Sequence, residues 1–191
     1  LDGQAHGAQV IVFKHGNPEE GIDFLLAAGG AEPALPQLAP EDLATILFTS
    51  GSTGMSKGAV SDHRGVVHGA MNSAALALIV FTHLGSLGQA PQGQPAALLN
   101  VPLFHVSGEL PLFLQSLALG RKLVVMAKWD ALEAMRLIER ERITYFFGVP
   151  LMSYEIATHP ERQKFDLSSC TSFAAGGAPR PVEHVARIRK V

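Results

Sequence analysis

The sequence predicts an α/β fold, a mostly parallel sheet flanked by helices, and three observations point there. Short apolar runs alternate with longer segments of helical periodicity, and that alternation calls for crossover connections between parallel strands. The chain has 191 residues, 47% of them hydrophobic and 17% charged, which is enough to bury a sizeable core. Segments rich in Gly, Pro, His or hydroxyl side chains follow directly on apolar runs, where binding loops lie at the carboxyl ends of parallel strands.

Ala8 to Phe13 reads as a strand and Glu19 to Ala28 as a short helix. A spacer with Pro33, Pro36 and Pro40 then divides a partial leading unit, 1–40, from a core unit, 41–191. Leu43-Ala44-Thr45-Ile46-Leu47-Phe48 has the near-continuous apolar character of a buried parallel strand. Val66, Val67, Ala70, Met71, Ala74 and Leu78 recur at helical spacing, with Asp62 as the cap. Gly85 to Pro95 is a loop, 97–101 a strand, and Glu109 to Leu119 a buried helix. Lys122 to Met126 is the next strand. Asp130-Ala131-Leu132-Glu133 has capping-box form and opens a helix to about Arg140. Ile143 to Phe147 is a strand, a helix runs from Pro150 to Thr158, Ser172 to Ala175 is a strand, and Pro181 to Lys190 a helix.

Composition removes several function classes. With 15 basic and 17 acidic residues the net charge is −2, so there is no electrostatic case for a nucleic-acid partner or an anionic membrane. The longest uninterrupted apolar run, Ala74 to Phe81, falls short of the roughly 20 residues of a membrane span. No charged segment followed by an apolar stretch marks a signal peptide. Cys170, the single cysteine, has no internal disulfide partner, which fits a cytoplasmic location. The eight histidines show no zinc-ligand spacing, so no metal site is predicted. Val106-Ser107-Gly108 lacks the leading glycine of a nucleophile elbow.

The strongest chemical signal is Thr49-Ser50-Gly51-Ser52-Thr53-Gly54-Met55-Ser56-Lys57-Gly58. Glycines admit anionic oxygens close to backbone N–H groups, hydroxyls donate to them, and the Lys57 ammonium neutralises charge. Charge-assisted bonds of roughly 1.5–3 kcal/mol each suit a polyphosphate. The spacing is not that of a Walker A loop, because Lys57 follows Ser56 and precedes Gly58, and no G-x-G-x-x-G is present. Pro102-Leu103-Phe104-His105-Val106-Ser107-Gly108, Gly148-Val149-Pro150 and Gly176-Gly177-Ala178-Pro179 each follow a predicted strand, and a doubly wound sheet gathers such segments on one rim. By residue type alone, His105 is either a cap on the following helix or a neutral donor to a carboxylate.

The 49–58 segment resembles the phosphate loop of adenylate-forming enzymes, Thr-Ser-Gly-Thr/Ser-Thr-Gly-x-Pro-Lys-Gly, with Ser56 where proline is usual. The other three segments resemble later signatures of that family, in its order, so that the match runs from about Glu41 to Pro181. The resemblance implies part of the N-terminal domain of an acyl-CoA synthetase. ATP and a carboxylic acid then give an acyl-adenylate, Mg²⁺ assists, and coenzyme A takes the acyl group. It assigns Thr49, Ser50, Gly51, Ser52, Thr53, Gly54 and Lys57 to the ATP phosphates. Gly176, Gly177, Ala178 and Pro179 form a wall against acyl group and adenine, and His105 is the catalytic candidate bordering the acid. The family's Thr-Glu segment, ribose aspartate and lysine-bearing C-terminal domain have no counterpart before Val191. Little ligase activity is therefore expected of these residues alone, with self-association through uncovered surface. The alternative is a non-catalytic nucleotide-binding or interaction module of the same fold.

Overall fold

A computed structural model describes residues 36–49, 54–89 and 93–188. The chain divides into two compact units, Leu1–Leu38 and Ala39–Val191, and the strands and helices of the described residues all belong to the second. The predicted strand 8–13 and helix 19–28 lie outside the described residues.

Strand β1 (Leu43–Thr49) pairs antiparallel with β2 (Lys57–Asp62), with Phe48 opposite Gly58 and Thr49 opposite Lys57. This corrects the reading of 43–48 as a buried parallel strand. The run forms a hairpin with the segment just beyond its own loop, and Leu43, Ile46 and Phe48 are exposed. A continuous apolar run does not encode which strand it pairs with. Gly58 does help decide it: a Cβ there would lie 2.8 Å from Ile46 Cγ2, so its bare backbone lets the β1 side chains lie across β2.

Helix α1 (His63–Ser86) starts where Asp62 Oδ1 accepts from Gly65 N at 2.7 Å, a cap worth about 1 kcal/mol. Ala74 is its buried residue, while Val67, Met71 and Leu78 of the predicted stripe face outward. Its contact face uses small residues instead, and a Cβ on Gly69 would come within 3.2 Å of Leu110 Cδ1. The uninterrupted run 74–81 understates this helix. By length and composition it is apolar enough to cross a membrane, yet Gly69 lies against another helix.

A four-stranded parallel sheet forms the centre, from β3 (Ala96–Leu99), β4 (Lys122–Val125), β5 (Tyr145–Gly148) and β6 (Ser172–Ala175), in the order β4-β3-β5-β6. All three pairings are parallel. Between β3 and β4 runs α2 (Val106–Leu119), whose middle, Glu109–Leu114, is wound as a π-helix. The helix predicted from sequence started only at Glu109 and was buried, whereas Leu117 is exposed. Pro111 explains the wide turn: it has no N–H to bond back to Ser107, and its ring crowds that carbonyl. Helices α3 (Ala131–Glu141), α4 (Pro150–Thr158) and α5 (Val182–Ile188) complete the unit. Asp130 Oδ1 caps α3 by accepting from Glu133 N at 2.8 Å.

The period of two along each strand divides the core between the faces of the sheet. Leu98 and Phe146 face α3 and α4, where they meet Met135, Ile138 and Ile156. Ala97, Leu99 and Phe147 face the other way, onto Leu112 of α2. The chain thus steps from β3 to β4 over one face and returns from β4 through β5 to β6 over the other. That reversal puts a topological switch point between the neighbouring strands β3 and β5.

Candidate functional site

A switch point opens a crevice because the loops leaving two adjacent strands diverge to opposite faces. Here the diverging loops are Asn100 to His105 after β3 and Val149-Pro150 after β5, with Gly176 to Pro179 leaving β6 one strand further on. Three of the four segments singled out from sequence therefore share one rim.

Close backbone packing fixes that rim. A Cβ on Gly108 would stand 2.3 Å from the carbonyl oxygen of Pro102, so only glycine lets the first turn of α2 fold back under the loop. At Gly148 a Cβ would meet Met152 Sδ at 2.8 Å and Asn100 Nδ2 at 3.0 Å. Gly176 lies against the Phe147 ring, and its N–H donates to Gly148 O at 3.1 Å. Gly177 then turns the chain with φ 78, a conformation that favours glycine. Arg180 Nη2 donates to Ser153 Oγ at 3.2 Å, and that hydroxyl donates to Pro150 O at 3.0 Å. The 176–179 turn is thereby tied to the 148–150 turn. Ala178 and Pro179 are exposed beside Gly177.

His105 precedes α2 in extended conformation, and its Nδ1 accepts from Ser107 N at 3.2 Å. The Ser107 hydroxyl lies 2.7 Å from the same nitrogen. A backbone N–H can only donate, so Nδ1 is the unprotonated nitrogen and Nε2 carries the hydrogen. The structure shows the helix-cap reading of His105, which uses one edge of the ring and leaves Nε2 without a hydrogen-bond partner among the described residues. Asn100, 6% exposed, lies at the base of the crevice with no partner for its Oδ1 among the described residues.

The phosphate-loop candidates sit on the hairpin, not on a strand of the parallel sheet. Thr49 ends β1, Lys57 opens β2 opposite it, and the Thr49 hydroxyl donates to Lys57 O at 3.3 Å. Gly54 is left-handed at φ 84, with no atom of the described residues within 4 Å of a would-be Cβ. Lys57 is exposed and makes no ion pair among the described residues. Ser50, Gly51, Ser52 and Thr53 lie outside the described residues. Among the described residues, no group of three His, Cys, Asp or Glu side chains is placed to hold a metal ion. Burial pushes the Cys170 thiol up to about 12, which leaves it no thiolate with which to act as a nucleophile.

Two hollows elsewhere, of about 450 and 420 Å³, are lined by Trp129, Glu155 and His159 and by Arg162, Phe165 and Cys170 respectively. Neither is lined by a residue of the four chemical segments. Sequence reasoning quoted Gly108 only as the end of the 102–108 segment and passed over Asn100 and the pairing of Ser107 with His105. The helix-start spacing of a side chain two residues before a backbone N–H could have revealed the last.

Comparison with known proteins places this geometry. A family described as "AMP-binding enzyme" matches residues 2–191. A long-chain-fatty-acid–CoA ligase of Bacillus subtilis (strain 168) is 32% identical over 158 residues, covering 82% of this chain and 26% of that enzyme. A feruloyl-CoA synthase of an Amycolatopsis species is 34% identical, over 84% of this chain and 30% of the enzyme. The chain thus spans less than a third of these relatives. Among solved structures, the inhibitor-bound N-terminal domain of FACL13 from Mycobacterium tuberculosis superposes with TM-score 0.68 at 28% identity, covering 88% of this chain and 39% of that one. The amide bond synthetase McbA from Marinactinospora thermotolerans gives TM-score 0.65 at 31% identity, covering 84% and 29%.

Proposed function

This chain belongs to the AMP-binding enzyme family, and from that premise we propose that it carries the phosphate loop and part of the acid site of an ATP-dependent acid–CoA ligase. The observation that carries the reading is the switch-point rim, where the His105 loop, Gly148-Val149-Pro150 and Gly176-Gly177 converge beyond adjacent parallel strands. Such a crevice can admit a flat or extended acid with little side-chain obstruction, and Nε2–H of His105 offers a donor to its carboxylate.

In the proposed reaction a carboxylate oxygen attacks the α-phosphorus of ATP. The bond to the bridging oxygen breaks, pyrophosphate leaves, and an acyl-adenylate forms. A thiol sulfur, that of coenzyme A, then attacks the acyl carbonyl, gives up its proton and releases AMP. The first step needs in-line placement and charge neutralisation more than covalent help from the protein. Lys57 with the hydroxyls of Thr49, Ser50, Ser52 and Thr53 grips the β- and γ-phosphates, and Gly51 and Gly54 admit them to the backbone. Gly176, Gly177, Ala178 and Pro179 border the acyl group and adenine. Among the groups assigned to the phosphates the positive side chain is that of Lys57, and Mg²⁺, which the family resemblance implies, belongs to the same proposal. The names of the two ligase relatives support coenzyme A as acceptor. Cytoplasmic location belongs to the same proposal, supported by the single, buried, free Cys170.

Pyrophosphate release by the complete polypeptide that carries this sequence, against a panel of carboxylic acids with coenzyme A or a simple amine as acceptor, tests the reading. Acid-dependent release with thioester formation is expected. Lys57→Ala should weaken ATP use for every acid, and His105→Ala should act unevenly between acids. Equal, small effects of both would contradict the assigned roles, and nucleotide binding without pyrophosphate release would favour the non-catalytic module.

A further inference from the structure

The hydrogen bonds at His105 go further than its own role. We propose that Ser107 is a positioning residue that holds the imidazole with Nε2–H presented to the carboxylate of the acid. The inference rests on the reading of His105 as an acid contact.

Ser107 supplies both bonds to Nδ1. Its N–H donates at 3.2 Å, and its hydroxyl, the nearer group at 2.7 Å, donates to the same lone pair. An imidazole on an exposed loop turns about χ2 and exchanges its two neutral tautomers unless one nitrogen is engaged. With Nδ1 engaged twice, the ring plane and the tautomer are set together. Nε2 has no hydrogen-bond partner among the described residues, so its donor remains available.

The neighbouring backbone makes this pair rigid. Gly108 N–H donates to His105 O at 2.9 Å, and Glu109 N–H donates to the same oxygen at 3.1 Å. His105 N–H in turn donates to Pro102 O at 3.2 Å, the carbonyl that leaves no room for a side chain at Gly108. Ser107 therefore sits on a turn whose backbone cannot move away from the ring. Alanine at 107 would keep the backbone bond and lose the shorter one, which separates positioning from folding.

The test uses the complete polypeptide that carries this sequence. Nitrogen-15 NMR of the His105 ring should show a protonated Nε2 and an unprotonated Nδ1. In steady-state pyrophosphate release, Ser107→Ala should raise KM for the acid by about threefold to tenfold, the effect of one hydrogen bond. KM for ATP should not change, and Ser107→Thr, which keeps the hydroxyl, should restore KM for the acid. A protonated Nδ1 in the unmodified protein overturns the proposal. So does an unchanged acid KM in Ser107→Ala while His105→Ala raises it. If His105→Ala itself leaves the acid KM unchanged, the reading of His105 as an acid contact falls, and the role of Ser107 with it.

Discussion

The switch-point rim and the β1–β2 hairpin carry the two halves of the proposed chemistry, and they are built in opposite ways. At the rim the backbone is crowded. Gly108, Gly148 and Gly176 each lie where a Cβ would come within 2.3–3.1 Å of other atoms, and buried residues on both sheet faces hold the strands beneath. Among the described residues of the hairpin such crowding is confined to Gly58, where a Cβ would come within 2.8 Å of Ile46 Cγ2. Gly54 has no atom of the described residues within 4 Å of a would-be Cβ, the bond from Thr49 to Lys57 is 3.3 Å long, and Phe48, Met55 and Val60 are exposed. Packing therefore positions the groups proposed to meet the acid. Of the groups proposed to meet ATP, Thr49 and Lys57 are positioned by strand pairing within the hairpin. Charge-assisted bonds can hold a triphosphate at an exposed site, whereas a mainly apolar acid offers few such bonds and needs a wall already in place.

The contrast predicts its own largest effect. Gly108→Ala forces a methyl group against the Pro102 carbonyl and should cost about 3 kcal/mol, a fall in Tm of roughly 6–12 °C. Gly54→Ala, strained in its left-handed backbone but unobstructed, should cost about 1 kcal/mol in the same calorimetric experiment. Similar losses at both sites would erase the distinction. Lys57→Ala should reverse the pattern, leaving stability within about 0.5 kcal/mol while KM for ATP rises about tenfold or more. A large fall in Tm for that variant would mean the hairpin depends on Lys57 for its fold.

Exposure of Met71, Ile79 and Phe81 on α1, with Ile46 and Phe48 on the hairpin, should make the 191-residue chain self-associate, as light scattering would reveal. Met71→Lys with Ile79→Lys should shift it towards the monomer mass, and no change would move the contact away from α1. The smallest effect concerns Cys170, in the core just ahead of β6. Burial raises the Cys170 thiol from 9.0 to about 12, so the folded state keeps its proton longer than the unfolded chain. Its contribution is complete below pH 9 and is lost as pH rises towards 12. Chemical denaturation at graded pH should show stability falling above pH 9 in the unmodified chain and less steeply in Cys170→Ala. Rapid alkylation of the native thiol at neutral pH would contradict this burial.

How legible these regions were follows from the same difference. Pro150 at the first turn of α4 and the compact run 172–175 marked both elements in sequence, because proline and short apolar strands carry their signals locally. The caps Asp62 and Asp130 were equally local. The partner of Leu43–Thr49 was not, since its apolar run fits a buried strand or an exposed hairpin equally well. The outward turn of Val67, Met71 and Leu78 was hidden too, because α1 is apolar on nearly every side and small residues choose its contact face. For the site, sequence supplied the residue types. It could not supply the crowding at Gly108, which exists only once strand end and helix start are brought together, whereas the bonds from Ser107 to His105 Nδ1 span two residues and lay within its reach.

The most direct test of the central claim is a crystal structure of the complete polypeptide with ATP and a carboxylic acid bound. The account predicts the ammonium of Lys57 within hydrogen-bond distance of a β- or γ-phosphate oxygen, and the acid carboxylate at Nε2 of His105 beside Gly176 and Gly177. A triphosphate bound away from the β1–β2 hairpin, or a hairpin facing the opposite rim from His105, would contradict it.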